Sequence, residues 1–190
     1  MIILLAGLLV FVAVHLLPVF GLMTRASLMA RLGKNAYRGL FSLVIIGSLA
    51  LVYFGWTMTE PTILYAPPQW AFHVTPLLVL FGFILFFSSR APSNIRRLVR
   101  HPQLTGVLLW AIGHLLANGE QRSVLLFGTF LVWTILAMVG ANRRDGDWVK
   151  PPKQSFVKDI VTVFIGAALY TGFLFIHEWL IGVNPLPFAS

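Results

Sequence analysis

Two histidines lie inside apolar stretches of the chain, where an imidazole can bind a metal ion or a haem iron. His15 stands in the middle of the first apolar run, and His114 stands deep in a later one. A polar side chain in the hydrocarbon of a membrane is costly and needs a partner. Because the chain has no cysteine to offer a thiolate, two imidazoles on separate helices predict a buried metal or haem.

A structural role is the alternative for each of these histidines. Pro18 has no N–H for the Val14 carbonyl, so the His15 ring could instead bond a carbonyl freed in this way. His114 could be an interfacial histidine packed on Trp110. Both alternatives stay open at this point.

Depth and space favour a cofactor shared by the pair. Measured from the cytoplasmic ends of their helices, His15 lies about 12 Å deep and His114 about 15–20 Å deep, a difference of about one turn. Ala111, one turn before His114, predicts open space beside that imidazole for a flat group. Two axial imidazoles facing each other across a porphyrin therefore fit the pattern.

The other three histidines are weaker candidates. His101 precedes His114 by thirteen residues, about 20 Å along a helix axis, so these two cannot ligate one small centre. His101 belongs instead at the cytoplasmic surface, beside a run of arginines. His73 and His177 are interpreted as anchors at the outer interface, where His177 could bond the adjacent Glu178.

The composition predicts a membrane protein. Of the 190 residues, 58% are hydrophobic and 11% are charged, whereas soluble domains carry about 25% charged residues. Apolar stretches of about 18 residues or more recur along the chain. We therefore expect an all-α, polytopic membrane protein that forms a single integral membrane domain over residues 1–190. The partner is then the lipid bilayer. The net charge of +8 is explained by basic residues in the loops between the apolar stretches, and it does not indicate nucleic-acid binding.

Several chemistries are disfavoured by what the sequence lacks. Zero cysteines exclude thiolate ligands, disulfides and covalently attached c-type haem. We find no Ser-His-Asp set, phosphate-binding loop, zinc-ligand spacing or pair of carboxylates, which argues against hydrolysis and phosphoryl transfer. The apolar stretches hold few polar residues and no inverted repeat of broken helices, which argues against a transporter.

Hydropathy and turn residues predict six membrane-spanning helices. Their bounds are roughly Ile2–Met23, Gly39–Met58, Phe72–Ser89, Leu104–Ala117, Ser123–Ala141 and Ile160–Ile181. The fourth is short for a span of about 20 residues, and it could begin at His101 with Pro102 in its first turn. Asn118-Gly119 is typical of a helix C-terminus. No basic residue separates Met1 from the first apolar run, so we expect this run to be a retained helix.

The basic residues alternate between loops and predict an orientation. They follow the first, third and fifth spans: Arg25, Arg31, Lys34, Arg38; Arg90, Arg96, Arg97, Arg100; Arg143, Arg144, Lys150, Lys153, Lys158. The opposite loops hold almost none, and Arg122 is the exception. The positive-inside rule places the basic loops in the cytoplasm and both termini on the outer, periplasmic side.

Several segments resemble the signature of the NnrU membrane-protein family over roughly residues 5–145: Arg100-His101-Pro102-Gln103-Leu104-Thr105-Gly106, Leu109-Trp110, His114, Asn118-Gly119, His15 with Pro18 and Arg25, Leu32-Gly33-Lys34 to Arg38, and Pro67-Pro68-Gln69-Trp70. The resemblance implies a multi-pass protein of the bacterial inner (cytoplasmic) membrane. It also implies a role in denitrification, the respiratory reduction of nitrite and nitric oxide, as a redox or maturation factor whose partners are denitrification redox proteins.

The same family is similar to the plant zeta-carotene cis-trans isomerase, which binds a haem b (iron protoporphyrin) between two histidines. Carried over by motif, those ligands fall on His15 and His114. This similarity implies a second function, the haem-dependent isomerisation of a lipophilic polyene. The isomerase has a cysteine one turn before its second histidine, and Ala111 stands at that position here, which disfavours redox exchange of the ligand.

Basic residues at the cytoplasmic edge are the expected partners of the haem propionates, through charge-assisted hydrogen bonds. These are Arg25, Arg96, Arg100 and Arg143, with His101 in the same segment as two of them. Their alternative role is to fix the topology alone.

A third function follows from a different resemblance. The Arg-His-Pro-x-x-x-Gly run also occurs in membrane methyltransferases that use S-adenosylmethionine, where it helps to hold that cofactor at the cytoplasmic face. Here it maps to Arg100, His101, Pro102 and Gly106. The C-terminal motif of those enzymes is at best a remnant, Arg143-Arg144-Asp145-Gly146-Asp147.

Overall fold

The computed structural model describes residues 1–185, which are helical with irregular connections. They form eight α-helices: α1 (Ile2–Phe20), α2 (Leu22–Leu32), α3 (Lys34–Thr57), α4 (Ala71–Ser88), α5 (Ile95–Leu98), α6 (Pro102–Ala117), α7 (Gln121–Asp145) and α8 (Phe156–Ile181). Within this range no β-strand forms, and one isolated bridge pairs Ile63 with Glu120. The all-α prediction is confirmed.

Five of these helices, α1, α3, α4, α7 and α8, are long and apolar enough to cross a membrane. Each coincides with a predicted span to within little more than a turn. The shorter α6 is apolar but has only 16 residues. It begins at Pro102 and ends just before Asn118-Gly119, as the turn chemistry predicts. The chain therefore has the helices of a multi-pass membrane protein, and its sixth span stays a prediction.

The structure adds two short helices to those predicted. The first predicted span runs to Met23, but α1 ends at Phe20 and α2 begins at Leu22, with Gly21 between them. The 11 residues of α2 lie in the first basic segment. The helix stops at Gly33, whose φ of 79° is a backbone conformation that favours glycine. The single turn of α5 lies in the second basic segment.

Contacts divide the chain into two compact units. The first unit comprises Met1–Ala66 and Asn118–Asp147, and it contains α1, α2, α3 and α7. The second comprises Pro67–Ala117 and the residues from Trp148 onward, and it contains α4, α5, α6 and α8. Each unit is therefore built from two separate stretches of chain. The single integral membrane domain stays a prediction, and its residues 186–190 lie outside the described range.

Glycines bring α1 and α3 into backbone contact within the first unit. A Cβ on Gly7 would lie 2.7 Å from the Val52 nitrogen and 2.9 Å from the Ser48 carbonyl oxygen, and a Cβ on Gly55 would meet the backbone of Leu4. Close approach through small residues is how helices associate in lipid, where apolar burial gives no driving force. Since α2 and α7 also pack against α1, α1 is the central helix of this unit.

In the second unit the central helix is α4, which packs against both α6 and α8. A Cβ on Gly82 would lie 2.8 Å from the Gly106 carbonyl oxygen, and the Thr75 hydroxyl donates to the Gly113 carbonyl at 2.8 Å. Gly166 gives α8 a similarly close approach to α4. The backbone of α6 is thus held along a helix long enough to span the membrane.

The cations of each unit gather at one end. In the first unit, Arg144 at the end of α7 donates to the Pro18 carbonyl near the end of α1 at 3.0 Å. In the second unit, the Arg97 side chain donates to the Pro151 carbonyl, which joins the basic segment around α5 to the one before α8. This distribution agrees with the positive-inside expectation. The side on which the termini lie stays a prediction.

Arg122, at the opposite end of the first unit, is held by partners of its own. Its Nε donates to Glu120 at 2.8 Å, and its guanidinium carbon lies 4.0 Å from the centroid of the Trp56 ring. Its Nη1 donates to the carbonyls of Trp56 and Thr59. Arg122, the exception to the alternation of basic loops, is therefore neutralised by an ion pair.

Candidate functional site

His15 lies on α1 within an aromatic cluster of the first unit. Its ring stacks on Phe11 with centroids 3.9 Å apart, and it meets Trp133 edge-on at 5.2 Å and Phe41 at 6.0 Å. Phe11 precedes His15 by one turn, so helical spacing alone places the two on one face. These rings restrict the orientation of the half-buried imidazole.

One ring nitrogen of His15 is bound within its own helix. Nδ1 lies 2.9 Å from the Phe11 carbonyl oxygen. Because a carbonyl only accepts, Nδ1 carries the hydrogen and Nε2 keeps the lone pair of the neutral imidazole. Within residues 1–185 this is the only hydrogen bond of the ring. The structural alternative named the Val14 carbonyl, which Pro18 frees, but the ring bonds the carbonyl one turn earlier.

His114 repeats this arrangement in the second unit. Its Nδ1 lies 2.8 Å from the Trp110 carbonyl oxygen, again one turn earlier on the same helix. The Trp110 ring lies beside the imidazole, with centroids 5.1 Å apart and planes inclined by 49°. Packing on Trp110 is therefore confirmed. As in His15, the hydrogen bond places the proton on Nδ1 and the lone pair on Nε2.

The open space predicted beside His114 is not found at Ala111. This alanine has 0% of its surface exposed, so neighbouring atoms already cover it. A small residue in an apolar helix permits close packing of a neighbour as readily as it leaves room for a ligand, and here packing has filled the space. A flat group would have to reach His114 from another side of the ring.

The hydrogen bonds of both histidines fit the binding of a metal by Nε2. A ligating histidine almost always donates its other ring N–H to a carbonyl, a carboxylate or water, which fixes the tautomer and the ring orientation. Among the described residues there is no group of three or more His, Asp or Glu side chains that could hold a metal ion.

Arg25 lies in the same unit as His15. It lines a crevice of 380 Å³ at the basic end of that unit, together with Pro18 and Phe41. Phe41 is also one of the rings around His15. The structure thus connects the predicted ligand and one predicted propionate partner through a single phenylalanine.

Three predicted cofactor residues lie in the short segment from α5 to the start of α6: Arg96, Arg100 and His101. Asn94 anchors this segment, because its side chain donates to Asp159 at 2.8 Å and to the Gln154 carbonyl at 2.9 Å. The His101 carbonyl accepts from the Thr105 hydroxyl at 3.0 Å and so belongs to the first turn of α6. Arg96 is exposed, whereas Arg100 and His101 are half-buried.

The two remaining histidines, His73 and His177, have separate surroundings. His73 is exposed near the start of α4. His177 does not bond Glu178 as the sequence suggested; its Nδ1 lies 2.8 Å from the Val183 carbonyl oxygen. The side chain reaches forward to the chain beyond α8, where carbonyls no longer have helical donors.

The predicted residues divide between the two units. The first unit contains His15, Arg25 and Arg143, and the second contains His114, Arg96, Arg100 and His101. Within each unit the residues that could meet propionates lie at the basic end.

Three residues at these sites were not predicted from the sequence to be functional. Tyr37 and Arg38 line the same crevice as Arg25, and Trp133 lies against His15. The Tyr37 hydroxyl and the Trp133 indole nitrogen are buried without a hydrogen-bond partner among the described residues. The sequence feature that could have revealed the crevice is the tyrosine next to Arg38, in a basic segment that was interpreted only as a determinant of membrane topology.

Comparison with known families identifies the chain. One family model, described as NnrU protein, matches residues 3–185. Comparison with curated proteins and with solved structures finds no significant match. The family match covers nearly the whole chain, so the resemblance noted over roughly residues 5–145 is confirmed and extends through α8. The chain belongs to the NnrU family.

Proposed function

We propose that this NnrU-family protein binds a haem b through His15 and His114 and supports denitrification as a redox or maturation factor. The observation that carries the haem is the geometry shared by the two imidazoles, each of which donates Nδ1–H to the carbonyl one turn before it. The denitrification role is what the family resemblance implies. Denitrification redox proteins are the corresponding partners.

Each histidine would serve through Nε2 while its own helix holds the rest of the ring. In the first unit Phe11 and Trp133 hold the His15 imidazole from two directions. In the second unit Trp110 lies beside His114. A haem with two axial imidazoles supplies one-electron transfer and has no open coordination position.

Arginines at the basic end of each unit would bind the carboxylates of the porphyrin. Arg25 lies at that end of the first unit, and Arg96 and Arg100 lie at that end of the second. A guanidinium matches a carboxylate with two parallel hydrogen bonds, and such bonds are about twice as strong as neutral ones. His101 lies next to Arg100 and would add a donor at the same edge.

The proposal includes a topology of six spans in the bacterial inner membrane. The 16 residues of α6 extend about 24 Å, somewhat less than a hydrocarbon core of about 30 Å. A short helix is accommodated by local thinning of the bilayer, and the contact with α4 at Gly82 supports it. The basic ends would lie in the cytoplasm and both termini in the periplasm.

The absorbance spectrum of the full-length protein, purified in detergent from cells supplied with a haem precursor, tests the ligands. We expect a sharp Soret band from a six-coordinate haem. His15→Ala and His114→Ala should each abolish the band or convert it to a five-coordinate form. His73→Ala, which removes an exposed histidine, should leave it unchanged. Added imidazole should restore the six-coordinate spectrum of either ligand variant, which separates loss of a ligand from loss of the fold.

Two results would redirect the proposal. A protein that stays colourless, binds S-adenosylmethionine and loses it in His101→Ala would be a methyltransferase. A haem protein that changes the isomer ratio of an added polyene would be an isomerase. An unaltered Soret band in both histidine variants would refute the pair of axial ligands.

A further inference from the structure

The basic end of the first unit contains a crevice that the proposed axial ligands do not use. It has a volume of 380 Å³ and is lined by Pro18, Arg25, Tyr37, Arg38, Phe41 and Ser42. We call it the basic crevice. Its walls come from the end of α1, from α2 and from the first turns of α3. The short α2, which hydropathy did not reveal, is the element that brings Arg25 towards α3.

The two arginines of the basic crevice have no anion of their own. Neither the Arg25 nor the Arg38 side chain makes a hydrogen bond or ion pair with any residue in the range 1–185. The one acidic group at this end that forms an ion pair, Asp145, is bound by Arg144. Two cations in one crevice repel each other, and an anion placed between them would remove that cost.

Tyr37 supplies an independent sign of a missing partner. Only 8% of this residue is exposed, and its hydroxyl is buried with no hydrogen-bond partner within the described residues. A buried hydroxyl left unbonded costs about 1–3 kcal/mol, so native proteins rarely keep one without a reason. An oxygen of a bound ligand would accept this hydrogen.

The remaining walls indicate what kind of molecule carries that oxygen. Pro18 and Phe41 are apolar, and the crevice lies where the apolar α1 gives way to the basic α2. A guanidinium binds the oxygens of a phosphate or a carboxylate in a planar, two-pronged geometry. A ligand with an oxyanion head and an apolar body would therefore match both kinds of wall.

We propose that the basic crevice binds the oxyanion head of a membrane-embedded amphiphile through Arg25, Arg38 and Tyr37. The oxyanion has two possible sources, the phosphate of an anionic phospholipid and the carboxylate of a haem. The haem source rests on the function proposed above, whereas the phospholipid source is independent of it. Phe41 would contact the apolar part of either ligand next to the head.

Native mass spectrometry of the full-length protein tests the phospholipid source. Phosphatidylglycerol should remain bound to the wild type at least about tenfold more strongly than phosphatidylcholine with the same acyl chains. The double variant Arg25→Gln/Arg38→Gln should lose this preference. Arg31→Gln, which removes an exposed cation of the same α2 outside the crevice, should keep it.

Titration with haem b and with its dimethyl ester, followed at the Soret band, tests the carboxylate source. The ester has no charged oxygens, so the wild type should bind it about tenfold more weakly than haem b. The double variant should lose most of this preference, and the part that remains would come from Arg96 and Arg100. These variants keep both histidines, so a haem that binds should show an unchanged six-coordinate spectrum. If the wild type shows no Soret band of a bound haem, the proposed function is refuted. The phospholipid measurement alone then tests whether the basic crevice binds an oxyanion.

Tyr37→Phe tests the site even if the double variant does not fold, because this substitution keeps the ring and removes only the unbonded hydroxyl. It should reduce the affinity for phosphatidylglycerol or haem b by about threefold or more. Loss in the lipid measurement alone assigns a phospholipid, loss in the haem measurement alone assigns a carboxylate, and loss in both assigns a site for either. The oxyanion site would be refuted if the double variant and Tyr37→Phe both kept the wild-type preference for phosphatidylglycerol and for haem b.

Discussion

Gly106 is the point at which one added methyl group should disturb the crossing of α4 and α6 most. A Cβ at this position would lie 2.5 Å from the Gly82 carbonyl oxygen and 2.8 Å from the Phe86 nitrogen. Both are backbone atoms of α4, so neither can rotate away as the end of a side chain could. We expect Gly106→Ala to force the two helices apart around this turn.

The size of the effect follows from three contributions. Overpacking of a close contact costs about 1–3 kcal/mol. Separation of the helices also weakens the hydrogen bond from Thr75 to the Gly113 carbonyl, now 2.8 Å long, which contributes about 1 kcal/mol. Alanine has the better helix propensity and returns up to about 1 kcal/mol. The free energy of unfolding should therefore fall by about 1–3 kcal/mol.

Reversible unfolding in mixtures of mild detergent and dodecyl sulfate measures this change. Gly128→Ala on α7 and Gly172→Ala on α8 are matched controls, because a Cβ at either position meets nothing within 4 Å. Each control should be as stable as the wild type or more stable by up to about 1 kcal/mol, because alanine has the better helix propensity. If Gly106→Ala unfolds at the same detergent composition as the controls, the backbone contact between α4 and α6 is refuted. Since α6 also carries His114, Gly106→Ala should weaken haem retention if the proposed ligands are correct.

Three further variants test local features of the fold. Arg122→Gln should lower the free energy of unfolding by about 2 kcal/mol, because a carboxylate and two carbonyls lose a charged donor, whereas Arg143→Gln on the same helix removes an exposed cation and should change it little. Asn94→Ala should make the segment before α8 exchange its amide hydrogens and be cut by protease faster than in the wild type, and equal rates would contradict the anchoring role. Burial raises the pKa of Tyr65, whose neutral hydroxyl donates to the Asn118 carbonyl. A folded pKa above the unfolded value means that this stabilisation is complete below about pH 10 and is lost as the pH rises through the folded pKa. Tyr65→Phe should flatten that part of a plot of melting temperature against pH.

The helices were predictable where sequence chemistry marks both of their ends. The bounds of α6 follow from Pro102, which suits a first helical turn, and from Asn118-Gly119, which ends a helix. The end of α1 was placed too late, because the apolar run continues through Leu22 and Met23 after the break at Gly21. Hydropathy records how apolar a stretch is and not whether its helix turns a corner. For the same reason the polar α2 was taken for a loop.

The identity of the candidate ligands was predictable, but their hydrogen bonds were not. An imidazole in an apolar run is conspicuous because of its cost. Its partner depends on side-chain direction: the Cα–Cβ bond of a helical residue tilts towards the N-terminus. The His15 ring therefore reaches back to Phe11 and not to the Val14 carbonyl, which points towards the C-terminus. The basic crevice was missed because the positive-inside rule counts cations and does not say which of them share a cavity.

The cluster around His15 shows why a structural role explains the imidazole incompletely. A histidine that serves only the fold should have both ring nitrogens bonded, since each unbonded polar atom away from water costs about 1–3 kcal/mol. Within the described residues the His15 ring makes one hydrogen bond, and Nε2 makes none. The Trp133 ring, centred 5.2 Å away, has a buried N–H that is also unbonded. An acceptor and a buried donor thus lie in one cluster without pairing. Under the proposed function, coordination of an iron by Nε2 would use this acceptor, because an imidazole that binds a metal directs its lone pair at the metal and bonds its other nitrogen to a carbonyl.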